Sequence, residues 1–322
     1  MTHKRVFMLG ATGTIGRATM RALARQGHDI VCFIRPGSDL GLMQFDNVAF
    51  RFGNVTDPQS LAEDGFCCET FDVLLSCLAS RNGRAEDAWK IDYRAHIDAL
   101  AAAQSVGIGQ MVLLSAICVQ KPQLAFQYAK LAFEKALIES GLTYSIVRPT
   151  AFFKSLSGQI GRVKNGKPFL VFGDGTLTSC KPISNDDLAQ YLADCIENPT
   201  MHDRILPIGG PGDAITPLQQ GTLLFSLLGR QPHFKHVPVR LLDFAIGALD
   251  VVGRIAPAAQ RKSDLARIGR YYATESMLVM DPRTGRYDAD ATPSTGTETL
   301  ADHYRRIMDG ELTTERGEHS VF

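Results

Sequence analysis

The sequence predicts an α/β fold, a doubly wound parallel sheet carrying a smaller carboxyl-terminal lobe. Three observations carry that expectation. Short apolar runs alternate with helix-like stretches through the first half of the chain. A glycine-rich turn joins the first run to the first helix. The regular alternation loosens after Pro149. A chain of 322 residues is long enough for one large domain, or for a major domain with an appendage.

Taken in order, Arg5–Leu9, Ile30–Ile34, Val48–Phe52, Val73–Cys77, Met111–Ser115 and Tyr144–Val147 read as strands. They are short and rich in Val, Ile, Leu and Phe, as strands covered on both faces require. Ile15–Gln26, Ala85–Val106 and Leu124–Ser140 read as helices, and strand alternating with helix builds right-handed βαβ units. After Pro149 a helix runs from Asn185 to Asn198, with Ser184 or Asn185 as its N-cap, and a short strand, Ile205–Ile208, ends in Gly209-Gly210-Pro211-Gly212. Pro238 and Pro257 bracket an unusual helix. Its Arg240, Asp243, Asp250 and Arg254 share one narrow stripe at about 100° per residue, while Leu241, Leu242, Phe244, Ile246, Leu249, Val251 and Val252 spread over a wide apolar arc. The expected reading is a helix buried against the second lobe; the sharper one is a surface that meets a membrane or a large flat apolar ligand. The last dozen residues, polar and Glu-rich until Val321-Phe322, are expected to be poorly ordered.

Composition excludes several classes. With 34 basic and 34 acidic residues, no global charge points to nucleic acid or an anionic surface. Seven cysteines make no C-x-x-C pair, so no zinc site or iron–sulfur cluster is expected, and their scatter through apolar stretches reads as reduced thiols. Met1 to Lys4 lead straight into Val6-Phe7-Met8-Leu9 with no signal or transit segment, and no stretch approaches the roughly 20 apolar residues of a membrane span. The expectation is a cytoplasmic chain, at most peripheral to a membrane.

Gly10-Ala11-Thr12-Gly13-Thr14-Ile15-Gly16 follows the first strand and opens the first helix. Glycines there let the backbone turn tightly and approach a pyrophosphate, whose charge then sits on the helix N-terminus. In its strand–turn–helix setting the motif predicts a Rossmann-type dinucleotide site. The second strand ends in Arg35, where an NAD enzyme would usually carry Asp or Glu; Pro36-Gly37-Ser38 follow. A guanidinium there can clamp a 2′-phosphate, which favours NADPH, with Arg17 in reach to assist and Ser38 beside it. Asn54-Val55 after the third strand are expected to flank the adenine, and Cys77-Leu78-Ala79 after the fourth to line the cofactor's path. The expected division is an NADPH-binding domain over 1–150, followed by 151–322 as mainly a substrate-binding lobe that can return strands to the main sheet.

These features resemble the atypical, extended branch of the short-chain dehydrogenase/reductase superfamily. Longer segments resemble one family within it: Cys77-Leu78-Ala79-Ser80-Arg81, the run from Leu113 to Pro122, the run from Arg148 to Leu156, Cys180-Lys181-Pro182-Ile183-Ser184, Ile208 to Gly212 and Gly269-Arg270-Tyr271-Tyr272 look like the divinyl chlorophyllide a 8-vinyl reductases. The resemblance implies NADPH-dependent reduction of the 8-vinyl group of a chlorophyll or bacteriochlorophyll precursor to ethyl, with Pro149 and Thr150 beside the cofactor. Plant members begin with a plastid transit peptide, so its absence here suggests a bacterial, photosynthetic source.

Carbonyl-reducing members of the superfamily carry Y-x-x-x-K, in which Tyr protonates the oxygen and Lys holds the nicotinamide ribose. Aligning Lys130 with that lysine puts Phe126 at the tyrosine position. Tyr128 points about 200° away from Phe126 on a helix and cannot simply replace it. A ketone reductase needs an acid that Phe126 cannot supply; a vinyl group has no oxygen, and negative charge left on a conjugated macrocycle needs less local help. The departure also suits a chain with no catalysis at all. Ser115 matches the superfamily's serine, and the final proton stays open among Tyr128, Ser115, a lysine and water. For a flat ring bearing a carboxylate and magnesium, Phe126, Phe152 and Phe153 are expected to pack on it and Lys121, Lys154 or Lys181 to meet the carboxylate. Two other readings compete: a non-catalytic NADPH-binding sensor or scaffold, and a reductase or isomerase of another small apolar molecule.

Overall fold

The computed structural model describes residues 3–41 and 44–312. In chain order the strands among the described residues are β1 (Arg5–Leu9), β2 (Asp29–Ile34), β3 (Val48–Phe52), β4 (Val73–Ser76), β5 (Gln110–Leu114), β6 (Thr143–Pro149), β7 (Phe169–Phe172), β8 (Arg204–Ile208), β9 (Phe234–Val237) and the short pair β10 (Val279–Met280) and β11 (Tyr287–Asp288). Seven of them form one sheet in the order β3-β2-β1-β4-β5-β6-β8, every pairing parallel. β1 and β4 lie at its centre, where Val6, Phe7 and Met8 and Val73, Leu74 and Leu75 are wholly buried, as helices on both faces demand. The chain leaves β1 toward β2 on one side and β4 on the other, so the crevice that receives a ligand opens at the carboxyl ends of β1 and β4.

The chain beyond residue 150 contributes to this body as well. β8 closes the sheet beyond β6, and the helix Asn185–Glu197 packs across the first helix, Thr14–Arg25. Ser184 caps the former, accepting from the Asp187 amide at 3.0 Å. Leu188, Leu192, Cys195 and Ile196 from it join one core with Val6, Met8 and Leu23. The second lobe gathers round a separate core, in which Phe153, Phe169 and Val171 meet Leu224, Phe225, Tyr304 and Ile307; β7 pairs with β9 there, away from the main sheet.

Two helices differ from their sequence reading. The stretch 85–105 is one continuous helix, as expected, but Trp89–Ala95 within it winds as a π-helical turn, and Asp92 in that turn is fully buried. The helix after Pro238, Val239–Gly253, is not buried against the second lobe. It forms a hairpin with Pro257–Thr274, and Ile246 is its single buried residue. The polar stripe explains the difference. Asp243 and Asp250 are spent on Arg270 and Arg267 of the second helix, which leaves the face with Leu241, Phe244 and Val251 turned to solvent. The carboxyl-terminal stretch expected to be poorly ordered lies, from residue 313 on, outside the described residues.

Candidate dinucleotide and reduction site

The glycine loop has the geometry of a cradle. Gly10 adopts φ +76°, and a Cβ there would sit 2.5 Å from the backbone of Cys77 and Leu78, so β1 and β4 approach too closely for any side chain. A Cβ on Gly16 would lie 2.0 Å from the Gly10 carbonyl oxygen. Gly13 is the N-cap of Thr14–Arg25 and donates its own amide to Gly10 O at 3.1 Å. No side chain caps the helix and no acid stands in its first turn, so the first amides face the crevice mouth ready for an anion. Ile15 turns into the core, which leaves only its backbone for a ligand. A dinucleotide phosphate fits this loop.

Beyond the end of β2 an open cleft of about 430 Å³ is lined by Thr12, Arg17, Arg35, Pro36, Gly37, Ser38, Asp39 and Arg81. Arg17 is held in place: its Nε donates to the Thr12 carbonyl at 3.1 Å and its Nη2 to the Asp39 carbonyl at 2.6 Å. Arg35 and Arg81 are exposed, with no carboxylate partner among the described residues. Three guanidinium groups thus surround one small polar cleft, an arrangement whose charge and geometry suit a phosphate. Arg81 was not among the residues expected at this cleft. It stands in the loop after β4, and its position in the family-like run Cys77–Arg81 was the available signal.

The other predicted cofactor residues divide. The Asn54 side chain is used locally, accepting from the Thr56 amide at 3.1 Å and hydroxyl at 3.0 Å, so it shapes the turn; Val55 packs at the edge of the core under β1 and β2. The Cys77 thiol turns toward Thr19 Oγ1 at 3.8 Å, and burial pushes it up to about 12. Leu78 is half-buried against the core under β1 and β2, and Ala79 is exposed. Pro149 is buried at the end of β6, and the Thr150 hydroxyl donates to the Lys181 carbonyl.

Behind this loop lies a buried polar centre. Lys130, on the helix Ala125–Ile138, places its Nζ 2.9 Å from Asp92 Oδ1, with the lysine side chain 12% and the aspartate 0% exposed. The same carboxylate oxygen accepts from the Ser80 amide at 3.3 Å, and Asp92 Oδ2 has no partner. Beneath them His96 is bonded at Nε2 to Ser76 Oγ (2.8 Å) and at Nδ1 to the Ile91 carbonyl (2.9 Å), its ring 4.7 Å from Phe133. Burial, helped by the Lys130 charge, pulls this histidine down to about 4, so it is neutral at physiological pH. Asp92 carried no sequence signal, because a regular helix through Trp89–Ala95 gives no reason to single it out.

Phe126, four residues before Lys130 and on the same helix face, is half-buried in a cluster with Ile117, Cys118, Cys180, Tyr271 and Met277. Tyr271 donates to the Cys118 carbonyl at 2.8 Å, and the neighbouring exposed Tyr272 brings its hydroxyl to 4.0 Å from Cys118 Sγ. Tyr128 does not join this group: it is exposed, and its hydroxyl donates to the Pro122 carbonyl at 3.0 Å. Ser115 is buried and donates to Glu134, which Arg148 clamps, so its hydroxyl is committed inside the body.

Most of the residues expected on the substrate are engaged elsewhere. Phe153 belongs to the second lobe's core, its ring 5.2 Å from His303. Phe152 packs on the main core and bridges to Ile183 through its backbone. Lys121 binds both oxygens of Glu275 at 2.9 and 2.8 Å, and Lys181 donates to the Thr292 carbonyl at 3.0 Å. Lys154 reaches back to Thr14 Oγ1 at 3.0 Å, which puts its charge on the cofactor loop instead of the substrate side. Partly buried cations find carbonyls, hydroxyls and carboxylates because each lost hydration contact has to be replaced.

Comparison with known proteins agrees with this geometry. A family model described as NAD(P)H-binding matches residues 10–199. The chain is 48% identical to the chloroplastic divinyl chlorophyllide a 8-vinyl-reductase of Oryza sativa subsp. indica, covering 98% of its own length and 82% of the relative's. It is 46% identical to the protein of the same name from Arabidopsis thaliana, covering 97% and 79%. Among solved structures, an NADPH-dependent quinone oxidoreductase from Escherichia coli in complex with NADPH superposes with a TM-score of 0.69 over 94% of this chain and 99% of that one; at 19% identity the likeness is one of fold.

Proposed function

The chain belongs to the divinyl chlorophyllide a 8-vinyl-reductase family, and from that premise we propose that it reduces the 8-vinyl group of a divinyl chlorophyll precursor to ethyl at the expense of NADPH. The observation that carries the reading is near-half identity along almost the whole chain, through both the dinucleotide body and the second lobe. NADPH, when bound, supplies the hydride.

This chain's residues do the rest. The loop Gly10–Gly16 and the amides of the first helix hold the pyrophosphate, and Arg17, Arg35 and Arg81 hold the 2′-phosphate and so select NADPH over NADH. Lys130, fixed by Asp92, reaches the nicotinamide ribose. Phe126 gives a tetrapyrrole an apolar surface where a ketone reductase would carry an acid, and Tyr272 flanks the same cluster. Tyr128 is turned outward and Ser115 is committed to Glu134, which favours Lys130 or a water molecule as the source of the final proton. None of the described helices is long and apolar enough to cross a membrane; the membrane contact that belongs to this reading is a peripheral one, through the protein's surface.

The test is to incubate the protein with 3,8-divinyl chlorophyllide a and either NADPH or NADH, following the Soret band and the pigment's mass. A gain of two hydrogens with NADPH and little with NADH is expected. Tight NADPH binding without turnover would refute the reductase and put the sensor or scaffold reading in its place. Turnover of an unrelated apolar alkene at the same rate would remove the tetrapyrrole from the assignment.

A further inference from the structure

The helical hairpin Val239–Gly253 and Pro257–Thr274 carries a surface that the reduction site does not use. Leu241, Phe244, Ala248 and Val251 recur every three or four residues along one face of its first helix, and Val252 and Ile255 extend that face to the hairpin tip. Phe244 is 76%, Val251 64% and Ile255 88% exposed. Single exposed apolar residues are ordinary, but a row of them along a helix marks a surface that is covered by something.

Charge narrows what covers it. The hairpin holds six Lys and Arg against three Asp, in a chain whose formal net charge is +0. All three acids are spent internally: Asp243 on Arg270, Asp250 on Arg267 and Ser263, and Asp264 on Arg84 at 4.0 Å. Arg240, Arg254, Arg261 and Lys262 have no carboxylate partner among the described residues. An apolar row bordered by unpaired cations is the pattern of an interfacial helix on anionic lipid. A second copy of the chain would bring the same cations against each other, and a hairpin of this length cannot span a bilayer.

We propose that this hairpin docks the protein on an anionic lipid bilayer, with the Phe244–Val251–Ile255 face sunk among the acyl chains and the arginines at the headgroups. The proposal does not depend on the reductase reading, because its readout needs no turnover.

The experiment is flotation of the full chain with phosphatidylglycerol-containing vesicles, against pure phosphatidylcholine vesicles, at low and high salt. Binding is expected with the anionic vesicles at low salt and weak without them. Phe244→Ser with Ile255→Ser should lower the vesicle partition coefficient by at least about tenfold, from the lost apolar burial. Arg254→Gln with Lys262→Gln should lower it on anionic vesicles only. Both variants should keep the wild-type circular dichroism and NADPH affinity, since the hairpin tip is outside the cofactor site. No flotation with anionic vesicles, or flotation indifferent to both variants, overturns the proposal. So does a concentration-dependent dimer in light scattering that Phe244→Ser with Ile255→Ser abolishes, which would make a second copy the occupant.

Discussion

The arginine cleft permits a quantitative test of cofactor choice. Arg35 and Arg81 approach one polar cleft from the ends of different strands, and neither has a carboxylate partner among the described residues, so both charges are available to a 2′-phosphate. A hydrogen bond to a charged group contributes about 1.5–3 kcal/mol, and solvent exposure puts these two at the low end. Arg35→Ala and Arg81→Ala should each raise the NADPH dissociation constant about tenfold, and the pair together somewhat less than a hundredfold, since both act on one phosphate. NADH, lacking that phosphate, should lose less than about twofold. Arg17 differs because it also ties Thr12 to Asp39; Arg17→Ala should weaken both nucleotides. Fluorescence titration of the reduced nucleotides at fixed ionic strength measures all of this, and raising the salt should weaken NADPH more than NADH. Equal losses for NADPH and NADH on removing Arg35 or Arg81 would refute the assignment of the cleft.

Asp92→Asn leaves the ammonium of Lys130 without its counter-charge in a nearly closed site, which should cost about 3 kcal/mol in urea unfolding, whereas Asp92→Asn with Lys130→Met should cost less than the sum of the two changes; strict additivity would show that the pair is not coupled. Gly16→Ala drives a methyl against the Gly10 carbonyl, and calorimetry should find NADPH affinity lost together with several degrees of melting temperature. Phe126→Tyr should not raise turnover of divinyl chlorophyllide, since no substrate oxygen awaits its proton; a large gain in rate would overturn that account of the site. His96 sits near 4 when folded and at its ordinary 6.5 when unfolded, so the unfolded chain takes up the proton first as pH falls. The contribution is complete above about pH 6.5 and drains away toward pH 4, and unfolding curves at pH 7.5 and 5 should show wild type losing about 2 kcal/mol more than His96→Gln.

Much of this molecule was legible in its residues because the physics involved is local. Runs such as Val6–Leu9 and Val73–Leu75 can only be central strands, and Gly10, Gly13 and Gly16 between strand and helix make a phosphate loop because a side chain at Gly10 or Gly16 would collide with backbone. The place of Arg35 at the mouth of the cleft was readable for the same reason, since it lies at a fixed step beyond a recognisable strand. So was the oddity of Phe126, which follows from helix spacing to Lys130.

What the tertiary structure decided is where side chains end when several elements could have received them. Lys130 meets an aspartate exposed to no sequence rule because a π-helical turn brings it there. Lys154 crosses 140 residues to Thr14, and Lys121 and Lys181 are claimed by Glu275 and Thr292, so none of the three waits for a substrate carboxylate. The helix after Pro238 has apolar residues over most of its circumference, and periodicity alone expected it to be buried. Its acids went to the neighbouring helix, and its apolar face was left outside. Periodicity says which residues share a face; only the packing of distant elements says what that face meets.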